Sequence, residues 1–227
     1  MNRAAVRHLK RADPKLRRII ERVGPYRPRR GDEGEHFDHL VRAIVYQQLA
    51  GAAAATIHGR LLALYGNKHP TPAQLLATRP AALRRAGLSP QKLGYIVDLA
   101  RKVAAGAVAL DALPDHADEA VIEALTQVKG VGTWTAQMFL MFRLGRPDVL
   151  PVQDLGIQKA MRRVYGLRAM PSPARMEKIA AAWRPYRTVA CWYLWRSLDL
   201  STPLTTSPAP PNRIPSRRLE IVSPRSG

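Results

Sequence analysis

Four times before position 200 an Asp, Ser or Thr able to cap a helix stands directly before a proline: Asp13-Pro14, Thr71-Pro72, Ser89-Pro90 and Ser172-Pro173. A short polar side chain accepts from the orphan N–H groups of a first helical turn. Proline at the first helical position has no N–H to leave unsatisfied, so each pair marks a helix start. Gly24 and the pairs Tyr65-Gly66 and Tyr165-Gly166 supply stops, because glycine enters the left-handed conformation that closes a helix. Between these marks apolar residues recur at helical spacing, as in Leu93, Ile96, Val97, Ala100 and Val103, or Val121, Leu125 and Val128, with no sustained alternation of period two. The expected fold is all-α, a compact helical bundle. Ala-rich helical stretches at Ala43–Leu64 and Leu93–Ala109 suit close packing with short links, and no repeat of fixed period interrupts the pattern.

A chain of 227 residues can bury the core of one large domain or of two intimate lobes. Its formal charge of +19 is unevenly spread: residues 1–30 carry 11 Lys/Arg against 2 Asp/Glu, and residues 201–227 carry 4 against 1. That balance implies a polyanionic partner, although an arginine-rich composition alone would also raise the charge. The basic head lacks the aromatic anchors of an interfacial helix, no apolar run approaches the ~20 residues of a membrane span, and Met1–Lys10 has no apolar signal core. The expected location is the cytoplasm, with the DNA. The single cysteine, Cys191, excludes an intramolecular disulfide and an iron–sulfur cluster held by several thiolates; among apolar neighbours it reads as a small buried hydrophobe. His36-x-x-His39 is the closest histidine pair and has no third ligand, so no zinc site is expected. The organisation expected is a basic, partly helical segment at 1–30, one domain at 31–200, and a Pro/Ser-rich basic tail at 201–227 that is disordered.

The segment with most chemical content runs from Leu125 to Ala160. Lys129-Gly130-Val131-Gly132-Thr133 places an x-Gly-x-Gly turn between two apolar helical runs, 118–128 and 134–144. Bare backbone N–H groups at the start of the second run would meet an anion there, with DNA phosphate the natural candidate. A lone acid follows in Pro151-Val152-Gln153-Asp154-Leu155-Gly156-Ile157, ahead of a helix at 155–165. Asp154 could face whatever the turn holds, or it could simply cap that helix. Asp148, in Pro147-Asp148, reads as an ordinary turn.

Further pieces stand in a fixed order: Val41-Arg42-Ala43-Ile44-Val45-Tyr46-Gln47-Gln48-Leu49, then Ala86-Gly87-Leu88-Ser89 with Lys92, the turn at Leu125–Ala136, Pro151–Ile157, and Trp183-Arg184-Pro185-Tyr186-Arg187 leading to Trp192-Tyr193-Leu194-Trp195-Arg196. From Phe37 to Asp199 this order resembles the helix–hairpin–helix (HhH-GPD) DNA glycosylases, in the 3-methyladenine DNA glycosylase II branch. The resemblance implies a two-lobed helical fold, here without the N-terminal β domain of some relatives. It implies turn amides of Gly130, Val131, Gly132 and Thr133 on a phosphate, with Lys129 facing phosphate or solvent. A monovalent cation on the hairpin carbonyls is also implied, with no other cofactor.

The resemblance further places Asp154 at the catalytic position, where a carboxylate stabilises positive charge on the deoxyribose and orients water. Gln48, with Gln47 beside it, matches the wedge that fills the gap left by a flipped base. Trp134 and Trp195 match pocket aromatics that stack on an electron-poor methylated base, with Tyr46, Trp192 and Met138 at looser positions; each aromatic could equally be core. Relatives that also cut the backbone carry a lysine where this chain has Trp134, so a monofunctional enzyme using water is implied. The partner expected is double-stranded DNA with a damaged base, bound by a monomer that removes alkylated purines of the 3-methyladenine type. Two alternatives remain: a glycosylase for another lesion, such as a deaminated base, and a non-catalytic damage-binding module.

Overall fold

A computed structural model describes residues 2–28 and 34–200; the tail at 201–227 lies outside the described residues. Twelve α-helices and no strand occur among them: α1 (Asn2–Ala12), α2 (Pro14–Val23), α3 (His36–Tyr46), α4 (Gly51–Ala63), α5 (Pro72–Ala77), α6 (Pro80–Arg85), α7 (Pro90–Ala104), α8 (Asp118–Thr126), α9 (Thr133–Phe142), α10 (Leu155–Tyr165), α11 (Pro173–Ala180) and α12 (Arg187–Asp199). All four cap-proline pairs start helices. Asp13 accepts from the N–H groups of Lys15 and Leu16, Thr71 from Gln74, Ser89 from Lys92 and Ser172 from Arg175.

The helices fall into two packed groups that share one hydrophobic core. In the first, α7 packs on α3, α5 and α6, with α4 and α9 against α3 and the α8–α9 hairpin beside them. In the second, α12 packs on α1, α2 and α10. Asp13, at the corner between α1 and α2, ties the N-terminal helices to that second group. Its carboxylate accepts Trp183 Nε1–H at 2.9 Å and the Tyr165 hydroxyl. Leu9, Leu16 and Ile20 are buried while Arg3, Arg7, Arg17, Arg18 and Arg22 are exposed, so the positive charge of this head lies on the outer face of packed helices.

The hairpin helices expected at 118–128 and 134–144 run 118–126 and 133–142, and two longer stretches differ more. Ala43–Leu64 is two helices, broken at 47–50, where Gln48 takes φ +57°. The break is capped by tertiary contacts that local propensity does not contain: Lys92 Nζ donates to Val45 O at 2.6 Å, and the N–H groups of Gln47 and Leu49 close three-residue turns onto Ile44 O and Tyr46 O. Likewise Leu93–Ala109 ends early, at Ala104, where Gly106 turns the chain with φ +71°. Ile96, Leu99 and Ala100 are the fully buried residues of α7. Among the described residues no helix is long and apolar enough to cross a membrane.

Candidate active site

Asp154 lies where the two groups of helices meet, and the bonds it accepts define the site. As the N-cap of α10 it takes Ile157 N–H on Oδ1 at 2.7 Å, so the capping role expected of an isolated Asp is real. The same oxygen accepts Trp195 Nε1–H from α12 at 2.9 Å, while Oδ2 accepts Trp134 Nε1–H from α9 at 2.8 Å. The capped carboxylate is thus also held from both sides by indoles. It is 9 % exposed, so these bonds act in a partly dehydrated setting where charged acceptors bind most strongly. Gly156 makes room for the arrangement: a Cβ there would lie 3.0 Å from Asp154 Oδ1 and 3.1 Å from Trp195 Cδ1. Behind the acid, burial first and the Asp154 charge second push the Cys191 thiol up, keeping it an inert core group.

The hairpin is built differently at its two glycines. Gly130 has φ +80°, and an added Cβ would meet the Tyr95 ring at 2.1 Å. Only glycine satisfies both demands. Gly132 has φ −94° and nothing within 4 Å of an added Cβ, so neither backbone nor packing requires glycine there. Gly130, Gly132 and Thr133 face solvent, whereas Val131 is buried and its N–H donates to Val128 O at 3.0 Å, so the amide expected on a phosphate is instead spent closing the turn.

Beneath the turn, Lys102 Nζ bridges Asp98 Oδ2 at 2.7 Å and Gln127 O at 2.6 Å, and Asp98 Oδ2 also accepts Lys129 N–H at 2.8 Å. Burial opposes ionisation of Asp98, but these bonds outweigh it and hold the carboxyl below its ordinary range. The Lys129 side chain is exposed. Among the described residues no cluster of three His, Cys, Asp or Glu side chains could hold a metal ion. Gln127 O is taken by the Lys102 ammonium, which leaves Val128 O and Gly130 O, each accepting one hydrogen bond, as the hairpin carbonyls that could hold a monovalent cation.

The two glutamines separate in role. Gln47 is engaged, its Nε2–H donating to Gly130 O at 2.8 Å, and so couples the end of α3 to the hairpin. Gln48 is exposed at the tip of the break. Lys92, whose ammonium is pushed down by burial, braces that turn from below.

The other expected residues scatter. Met138 lies one turn after Trp134 on α9 and is half-buried. Tyr46 carries the Arg42 guanidinium 4.2 Å above its ring and stands edge-on to His58, contacts on its own lobe rather than to Asp154. Trp192 is in the core, edge-on to Tyr26 and Tyr193 at 4.9 Å. Asp148 pairs with Arg184 and Arg187, each at 2.8 Å, and is structural.

Four contributors escape sequence reasoning: Tyr95, Asp98, Lys102 and Gly156. The Asp98-x-x-x-Lys102 spacing advertises an ion pair on a helix face, but its hairpin carbonyl is 25 residues away.

Residues 41–185 match the HhH-GPD superfamily, described as base excision DNA repair proteins. DNA-3-methyladenine glycosylase 1 of Schizosaccharomyces pombe is 34% identical over 197 residues, covering 86% of each chain. A solved structure of an S. pombe 3-methyladenine DNA glycosylase in complex with abasic DNA superposes with TM-score 0.78 at 33% identity, covering 87% of this chain and 98% of that one. The crystal structure of a DNA-3-methyladenine glycosidase from Bacillus halodurans gives TM-score 0.76 at 38% identity, covering 85% and 88%.

Proposed function

The chain belongs to the HhH-GPD superfamily of base excision DNA repair proteins, and we propose that it is a DNA glycosylase hydrolysing the N-glycosidic bond of alkylated purines of the 3-methyladenine type. It acts on duplex DNA as a cytoplasmic, DNA-associated monomer and leaves an abasic site. The observation that carries this reading is the Asp154 carboxylate, clamped by Trp134 and Trp195 at the junction of the helix groups.

The amides of the exposed Gly130, Gly132 and Thr133 meet a phosphate, and bare Gly132 lets the backbone approach closely. A hairpin cation, held by the turn carbonyls, would add positive charge toward that phosphate. Gln48 fills the space vacated by the flipped nucleotide, offsetting part of an unstacking cost of a few kcal/mol. As the bond from C1′ to the base nitrogen breaks, its electron pair leaves with the base and positive charge grows on the sugar. The Asp154 carboxylate stabilises that charge and directs water to C1′, whose proton passes to the carboxylate or to solvent.

The donors on Asp154 favour alkylated bases over deaminated ones. An N-alkylated purine already carries positive charge and departs as a neutral base, so no general acid is needed. Indole N–H groups orient an anion but do not serve as proton sources. With Trp134 at the position a lyase gives to lysine, water is the nucleophile and the strand stays intact.

The test is release of 3-methyladenine from methylated duplex DNA by wild type and Asp154→Asn. The variant is expected to lose about 10²–10⁴-fold in single-turnover rate. Release at the wild-type rate refutes the acid assignment, and binding to damaged DNA without release by either protein identifies a binding module instead.

A further inference from the structure

We propose that Trp134 and Trp195 are positioning residues for the catalytic carboxylate, acting through their indole N–H groups, with Gly156 as the gap that lets them close on it. This rests on the reading of Asp154 as the acid at the sugar. It differs from a stacking role, in which only the ring faces matter.

The bonding pattern carries the inference. Among the described residues, every group bonded to the carboxylate is an N–H donor: Ile157 N and Trp195 Nε1 on Oδ1, Trp134 Nε1 on Oδ2. Three donors converging on two oxygens complement an ionised carboxylate and fix its plane, and Oδ2 retains a lone pair that can take the attacking water. Indole is a donor only, so neither tryptophan competes for the water's proton.

The donors also come from both groups of helices. Trp134 is the second residue of α9, two residues after Gly132, whereas Trp195 belongs to α12 and Ile157 to α10. A rotation of the hairpin against the α10–α12 group would stretch the 2.8 Å Trp134–Asp154 bond. Placement of the phosphate grip and orientation of the acid are therefore mechanically linked.

Gly156 is an independent mark of the same device. It sits in regular helix with no positive φ, yet a Cβ would press on both Asp154 Oδ1 and Trp195 at 3.0–3.2 Å. Packing elsewhere does not call for glycine there; the Trp195–Asp154 bond does.

The experiment compares wild type, Trp134→Phe, Trp195→Phe and Gly156→Ala, each with Asp154 and with Asp154→Asn. Single-turnover release of 3-methyladenine gives the rate and its half-saturating DNA concentration, and an abasic duplex gives product affinity. Phenylalanine keeps an aromatic face and removes the donor. Each Phe variant is expected to lose about 10–100-fold in maximal rate, with half-saturation and abasic-DNA affinity kept within about threefold. In the Asp154→Asn background the same substitutions should cost nothing further, because they act through the carboxylate.

Gly156→Ala is expected to fold with little change in Tm, alanine's helix preference of up to about 1 kcal/mol offsetting the crowding against Asp154 and Trp195, and still to lose rate. A Phe variant with the wild-type maximal rate overturns the proposal. So does a loss that persists undiminished in the Asp154→Asn background, or one accounted for by weaker half-saturation, since either assigns the indoles to the base. Wild-type release by Asp154→Asn alone overturns instead the acid assignment on which the proposal rests.

Discussion

The two hairpin glycines should respond in opposite ways to the same added methyl group. Gly130→Ala asks a non-glycine residue to hold φ +80° and places its Cβ 2.1 Å from the Tyr95 ring. The left-handed backbone costs about 1–2 kcal/mol. The ring must also move away, breaking the 2.6 Å bond between Gln91 Nε2 and the Tyr95 hydroxyl, for about 1 kcal/mol more. A loss of about 2–3 kcal/mol in unfolding free energy is expected, about 4–12 °C in Tm for a chain of this size.

Gly132→Ala meets open space at an ordinary φ and should cost at most about 1 kcal/mol, the N-cap preference. If a phosphate lies against the amides beside Gly132, that methyl displaces it and forfeits a charge-assisted bond worth about 1.5–3 kcal/mol. Affinity for an abasic duplex then falls about 10–100-fold at fixed salt. Urea denaturation and fluorescence anisotropy on both variants read the two quantities separately. Wild-type DNA affinity in Gly132→Ala would refute the phosphate grip, and wild-type stability in Gly130→Ala would refute the packing account of the turn.

Two further outcomes follow from the same site. Lys92 is held below its ordinary value of 10.5 in the fold by burial, so the folded protein releases this proton at lower pH than the unfolded chain. Between the folded value and 10.5 the unfolded chain binds more protons, and wild type should gain stability with rising pH relative to Lys92→Met. Denaturation at pH 8 and pH 10 reads the difference, and a constant gap contradicts it. Separately, borohydride added during turnover should trap no protein–DNA adduct, because Trp134 offers no amine at the sugar; a covalent complex would overturn the water mechanism.

The α10 segment shows how far sequence reading reached. Asp154 as the start of that helix, Gly166 as its stop and the Asp13-Pro14 corner were all readable, because caps and stops act over a few residues. The hairpin was readable too, to within two residues: helices expected at 118–128 and 134–144 end at Thr126 and restart at Thr133. The break at 47–50 was not, since Lys92 caps it from 47 residues away. Trp134 and Trp195 could be assigned to the site as aromatics, but their N–H bonds to Asp154 span 20 and 41 residues.

By itself, the sequence determined the helical content, the order of the hairpin and the acid, and the absence of a lysine at position 134, since each depends on short-range backbone chemistry or on residue identity. Tertiary structure alone decided that each oxygen of Asp154 accepts an indole N–H, that Gln47 is spent on the hairpin while Gln48 is exposed, and that Gly132 is bare without any internal need. Those facts depend on side chains meeting from helices distant in the chain. The spacing of residues sets which face of a helix is apolar, but not which partner's donor will arrive within 3 Å.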